Sequence, residues 1–172
     1  MHFQFCPICG SKLTLKEAGD DGMVPYCEPC AKIWFDMFSS CIIALVANEH
    51  HEIALLHQPS LSDRGVFVSG YITPGESAED AAVREIKEEL GLDVEKLEST
   101  GTFWFKKRGQ LMHGFIAKVK KQELICSHEI ESASWVPAEK APEIMFEDWN
   151  GNRAWDIYRT YMRETGMENT VA

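Results

Sequence analysis

No stretch of this 172-residue chain stays apolar for long. The longest such run, Cys41 to Ala47, is far too short to cross a bilayer, which takes about 20 apolar residues in a helix. The opening MHFQFCPICG lacks both the basic start and the apolar segment of a secretion signal, so a cytoplasmic location without a membrane partner is expected. Positive charge is scarce as well. Only 17 Lys and Arg face 27 Asp and Glu, a net charge of −10, which removes any global field that would draw in nucleic-acid backbone. A polyphosphate substrate would instead need bound cations and a local basic loop. Internal repeats and low-complexity linkers are missing too. What remains is 45% hydrophobic and 26% charged, enough for one real core and a small appendage.

The richest segment is GYITPGESAEDAAVREIKEELGL, residues 70–92. Ser77 and Asp80 are spaced for a capping box, and Gly91 is a natural helix stop. The helix between them sets Glu85, Glu88 and Glu89 at i, i+3 and i+4, on one face. Ala82, Ile86 and Leu90 fall on another face, suited to a core. Crowded carboxylates repel unless a cation neutralises them, and a hard oxygen-seeking ion, Mg²⁺ or Mn²⁺, fits that donor set. A solvated acidic helix is the plain alternative. Against it stand the Gly70-to-Gly75-Glu76 turn, Arg84 inside the acid cluster, and the abrupt Gly91.

Cysteine supplies a second pattern. Cys6-Pro-Ile-Cys9 and Cys27-Glu-Pro-Cys30 are two knuckles with the spacing of a four-thiolate zinc site. So short a segment has little apolar core, so metal binding would supply its folding energy. Two disulfides are disfavoured without an export signal, and a redox dithiol needs only one such pair. Four thiolates leave the zinc no open position, so its expected job is structural. Cys41 and Cys126 read as packed thiols.

Two domains are expected: a zinc ribbon over 1–37, with Gly19 to Gly22 as a turn, and a mixed α/β domain over 38–172. Strands are expected at 41–47 and 52–58 around the turn Asn48 to His51, then at 94–105 and 111–120 around the tip Lys106 to Gly109, with a short one at 132–136. Residues 65–69 lead into the Gly70 turn. A last helix spans about 152–164, with Trp155, Tyr158 and Met162 on a core-facing stripe. The short join between the two domains suggests a fixed orientation.

The string VSGYITPGE followed by REIKEEL fills every defined position of the Nudix box. Together with FCPICG, YCEPCAKIWF and CIIALV, it resembles the zinc-ribbon-bearing NADH pyrophosphatase branch of the Nudix family, without that branch's extra N-terminal domain. The resemblance runs from Phe5 nearly to the end. It implies an α/β/α sandwich with a mixed sheet, hydrolysis of a nucleoside diphosphate linked to another moiety, and a homodimer. By position it makes Glu85 and Glu89 the principal Mg²⁺ or Mn²⁺ ligands, with Glu88 supporting and the Ser69 carbonyl a further contact. Glu76 would order ligands and water, and Arg84 would orient the carboxylates. Glu129, six residues before Trp135, matches a late acidic ligand. Either Glu85 or Glu129 would be the general base.

Substrate-binding candidates follow the same resemblance. The family's Ser-Gln-Pro-Trp motif corresponds here to GTFWFKKRGQLM, which keeps Trp104 and the Leu111-Met112 ending but lacks the Gln-Pro pair. Trp104 and Phe105 are suited to stack on a base, Arg108 to meet phosphate, and Gln110, Tyr71 and Phe35 to line the pocket. Lys106 and Lys107 read equally as a solvated hairpin tip. NAD(H), ADP-ribose and the NAD cap of an RNA are the expected substrates. A nucleoside-triphosphate pyrophosphohydrolase and a non-catalytic nucleotide sensor are the alternatives.

Overall fold

The computed structural model describes residues 3–59, 62–148 and 152–167. The chain divides into two compact units, Met1–Phe38 and Ser39–Ala172.

The first unit is a small antiparallel sheet of β1 (Thr14–Glu17), β2 (Met23–Cys27) and β3 (Lys32–Ile33), in the order β1-β2-β3. A single 3-10 turn at Gly19–Asp21 joins β1 to β2, where the Gly-Asp-Asp-Gly sequence predicts a reversal. The side chains of β1 are all exposed, and among the described residues only Cys6, Val24 and Cys27 are deeply buried hydrophobics here. So thin a core cannot offset the entropy of ordering the segment, which leaves the cysteine cluster as its main anchor.

The second unit is built on a mixed sheet. Its strands are β4 (Ser39–Ala47), β5 (Glu52–Gln58), β6 (Ser62–Val66), β7 (Val68–Tyr71), β8 (Val94–Phe105), β9 (Gln110–Val119) and β10 (Ser132–Pro137). The main path runs β10-β5-β4-β9-β8, with β6 added on β5 and β7 on β4. The β4–β9 pairing is parallel and in register from Ser39 with Gln110 to Ala47 with Lys118, whereas the other pairings are antiparallel. Asn48 is buried and closes the turn after β4, its Oδ1 accepting from the backbone N–H of His50 at 2.9 Å and of Glu52 at 3.2 Å.

Helix α1 (Ala78–Leu90) covers one face of this sheet. Its Ala82, Ile86 and Leu90 pack with Ile42, Ala44 and Phe115, and each fully buried Ile or Leu contributes roughly 1.5–3 kcal/mol. Ser77 and Asp80 form the expected reciprocal capping box, contributing about 1 kcal/mol, and Gly91 ends the helix at φ 72°. The opposite face is covered by α3 (Arg153–Glu164), which follows the four-residue helix α2 (Ala141–Ile144). From α3, Ile157, Tyr158, Tyr161 and Met162 meet Leu45, Ala47 and Ile116, while Trp155 is only half-buried. The result is the α/β/α sandwich with a mixed sheet. Among the described residues, no helix is long and apolar enough to cross a membrane.

Candidate active site and metal centre

The acidic site is assembled where α1 crosses β7. Antiparallel pairing sets Gly70 opposite Ile42 and Ser69 opposite Ile43. Glu85 lies over the missing side chain of Gly70: a Cβ there would sit 2.0 Å from its Cδ and Oε1. Glycine is therefore required by close approach rather than by an unusual backbone angle.

Arg84 holds the surrounding groups. Its Nη2 and Nε donate to the two carboxylate oxygens of Glu76 at 2.8 and 3.1 Å. Its Nη1 donates to Glu85 at 2.8 Å and to Glu88 at 3.0 Å, and Nη2 also reaches the Tyr71 carbonyl at 3.0 Å. Glu76 in turn accepts the Thr73 backbone N–H at 2.6 Å, fixing the turn before the helix. The Arg84 guanidinium, helped by that N–H, draws the Glu76 carboxyl down to about 2. Arg84 itself is raised by the same bond.

Glu89 is the contrasting member. It is only 7% exposed, and among the described residues no lysine or arginine pairs with it. Burial, followed by repulsion from Glu85, Glu129 and Glu88, pushes its carboxyl up to about 8. Burial likewise raises Glu85, partly offset by Arg84. Glu88 stands outside, with 58% of its side chain exposed, so the three acids share a face without sharing an environment.

Glu129 reaches this cluster from a loop tied to the end of α1. The Ile125 N–H donates to the Leu90 carbonyl at 3.0 Å, and the Ser127 N–H to the Glu89 carbonyl at 3.3 Å. Glu129 is two-thirds exposed yet contributes to the field on both Glu85 and Glu89. Oxygen donors around an unpaired buried acid suit a hard divalent ion, which Glu85, Glu89, Glu129 and the Ser69 carbonyl could hold.

Of the residues expected to bind substrate, Tyr71 and Trp104 are half-exposed and Phe105 is partly buried. Gln110 is buried, and its Nε2 donates to the Tyr71 hydroxyl at 3.0 Å. Sequence reasoning set Gln110 beside the ligand; its amide faces an aromatic side chain, a contact that no local pattern signals. Burial pushes the Cys41 thiol up, with Arg108 opposing the shift and Glu85 adding to it. Phe35 is exposed and belongs to the first unit. A contact that sequence reasoning missed is Ser40 Oγ with His113 Nε2 at 2.9 Å, across the parallel β4–β9 pair.

The first unit gathers its four cysteines. Their sulfurs all lie within 4.8 Å of one another, with Cys9 to Cys27 at 3.5 Å and Cys6 to Cys30 at 3.9 Å. A tetrahedral metal with thiolate bonds near 2.3 Å would set sulfurs about 3.8 Å apart. All six cysteines are free thiols. Among the described residues this is the one cluster whose donor atoms are all so close; the carboxylates of the acidic site stand wider.

Residues 37–159 match the NUDIX domain. The chain belongs to the NUDIX family. It is 30% identical over 149 residues to the NAD-capped RNA hydrolase ndx-9 of Caenorhabditis elegans, covering 83% of this chain and 39% of that protein. It is 31% identical over 144 residues to the NAD-capped RNA hydrolase NudC of Pseudomonas fluorescens, covering 82% of this chain and 50% of that one. This chain thus spans about half the length of such NUDIX relatives, or less. Among solved structures, a NUDIX hydrolase from Nitrosomonas europaea superposes with a TM-score of 0.70 at 18% identity, covering 96% of this chain and 94% of that one. The NUDIX domain of Shewanella oneidensis NrtR, complexed with ADP ribose, gives 0.64 at 12% identity, over 81% and 94%. These likenesses establish the NUDIX fold.

Proposed function

We propose that this chain hydrolyses the pyrophosphate bond of a nucleoside diphosphate joined to another moiety, of the NAD(H) or ADP-ribose kind, including the NAD cap of an RNA 5′ end. The observation that carries the proposal is Glu89, a buried acid without a cationic partner beside Glu85, which is itself pressed onto Gly70. A retired binding site has no need to retain such mutually repelling charge. The names of the curated relatives support the NAD-type substrate.

Glu85, Glu89 and Glu129, with the Ser69 carbonyl, would hold Mg²⁺ or Mn²⁺, and Glu88 would support them. When bound, a divalent ion lowers the pKa of water and spreads the charge that develops on phosphoryl oxygens. The protein's own part is orientation. Arg84 fixes the Glu85 rotamer against β7, and Glu76 fixes Arg84 through two bonds. Glu85 or Glu129 takes the proton from the attacking water. Tyr71, Trp104 and Phe105 offer rings for a base to stack on, Gln110 holds the Tyr71 ring, and Arg108 faces phosphate.

The first unit is a structural zinc ribbon, and the second, from about residue 38, is the hydrolase domain. Reduced thiolates suit a cytoplasmic setting. A homodimer is the assembly this reading favours.

The test is incubation with NADH, ADP-ribose and nucleoside triphosphates, with Mg²⁺ and then Mn²⁺, reading products by mass. AMP with the matching mononucleotide supports the proposal. Inorganic pyrophosphate from triphosphates alone would replace it with house-cleaning activity, and no product from any compound would leave only a nucleotide sensor.

A further inference from the structure

Strand β8 ends the main path of the sheet, and α3 packs on the sheet face opposite α1. Between β8 and α3 lies a cavity of about 380 Å³, partly open to solvent. That volume falls in the lower part of the range for small-molecule sites, about 300–1,000 Å³. Its walls are residues 100–104 of β8 and Arg153, Asp156, Ile157 and Thr160 of α3. None of Glu85, Glu88, Glu89 and Glu129 lines it, so it is distinct from the acidic site.

The room comes from an irregularity in β8. Its pairing with β9 shifts register between Ser99 and Gly101, a bulge that sets Gly101 opposite Gly114. At Gly101 φ is 99°, which favours glycine, and a Cβ there would meet nothing within 4 Å. At Gly114 a Cβ would sit 2.4 Å from Thr100 Oγ1 and 3.0 Å from Ile157 Cδ1. Thr100 and Ile157 therefore fill the space beside Gly114, while Gly101 adds no bulk to the wall.

Charge on the wall cancels. Arg153 Nη1 donates to Asp156 Oδ2 at 2.9 Å, and Arg159 Nη1 donates to Asp156 Oδ1 at 3.2 Å. Arg159 also pairs with Asp148. Two guanidinium groups against two carboxylates leave no surplus to draw in a phosphate. Thr100, Thr102 and Thr160 supply hydroxyls, each both donor and acceptor, and Asp156 supplies carboxylate oxygens. Phe103 and Ile157 supply apolar surface. Hydroxyl-binding groups beside an aromatic ring, without net charge, suit a neutral ligand that joins a flat ring to a sugar.

We infer that the cavity between β8 and α3 is a second ligand site, which takes an uncharged nucleoside. The sugar hydroxyls meet the threonines and Asp156, and the base lies against Phe103 and Ile157. This site stands whether or not the acidic site hydrolyses a pyrophosphate.

The probe is adenosine, titrated into the full chain carrying ¹³C-labelled isoleucine methyl groups. The Ile157 δ1 methyl resonance is expected to shift and saturate, with half-saturation below about 1 mM. Ribose alone and inorganic phosphate should leave it in place. Thr160→Phe, which fills the cavity, should weaken adenosine binding about tenfold or more. Asp156→Asn, which keeps the shape of the side chain and removes its charge, should weaken it about tenfold and decides the matter if Thr160→Phe does not fold. An Ile157 resonance that ignores adenosine would overturn the inference, as would equal affinity in a folded variant. An equal response to phosphate or to ribose would make this an anion or sugar site and overturn it too. A shift at Ile72, in the turn of the acidic site, without one at Ile157 would place the nucleoside at the acidic site instead.

Discussion

The carboxyl group of Glu85 occupies the space in which a side chain on Gly70 would begin, 2.0 Å from the Cβ position. The conflict involves the mobile end of a glutamate rather than backbone, so the fold can absorb it by moving Glu85. Gly70→Ala is expected to fold with a thermal midpoint within about 3 °C of the parent, since about 1 kcal/mol moves a domain of this size by 2–4 °C. Its hydrolytic rate should fall about 100-fold, because displacement by about 1 Å costs that much. Circular dichroism melting and turnover on the same sample check both halves.

Arg84 bridges Glu76, Glu85 and Glu88 through a planar fork, which an ammonium cannot reproduce. Arg84→Lys should retain charge yet lose most of kcat, about 10–100-fold, with a smaller change in KM. A rate equal to the parent's would show that the fork does not orient Glu85.

Stability should respond to pH with two signs. The Glu89 carboxyl stands near 8 in the folded chain against an ordinary 4.5, so the folded state binds its proton more tightly than the unfolded one. That contribution is complete below pH 4.5 and is lost as pH rises toward 8. The metal-free protein should therefore melt at lower temperature at pH 8 than at pH 5, and Glu89→Gln should remove much of the drop. Added Mg²⁺ should raise the midpoint more at pH 8. Glu76 acts oppositely. Its carboxyl, lowered to about 2, contributes stability above pH 4.5 that is lost as pH falls toward 2. Melting curves across this range, with and without Mg²⁺, check both signs.

The sulfur cluster calls for a separate measurement. Elemental analysis is expected to find one zinc per chain, and chelation or Cys27→Ser should release the order of the first unit, read as loss of amide-exchange protection there. Retention of that protection after complete zinc removal would assign the order to packing instead.

Much of this architecture is legible in local pattern. Ser77, Asp80 and Gly91 mark α1 to within a residue, because caps are local chemistry. The continuous apolar runs of β4 and β5 follow from burial of both sheet faces. β6 and β7 are harder to separate in advance, since Gly65 and Phe67 interrupt no clear period and the break depends on strand pairing. Helix α2 has only four residues, with Pro142 among them, and offers no periodicity. The unequal burial of Glu85, Glu88 and Glu89 arises from β7 and from the 125–127 segment hydrogen-bonded to the end of α1, neither of which is visible in helical spacing. The Gln110–Tyr71 bond likewise joins residues far apart in sequence through sheet pairing.

The most direct measurement is anomalous diffraction from a crystal soaked in Mn²⁺ without substrate. A manganese peak coordinated by Glu85 and Glu89 is expected, because Glu89 is buried without another cation. Full manganese occupancy elsewhere, with no peak between those two carboxylates, would contradict their assignment as the metal-holding core of the site.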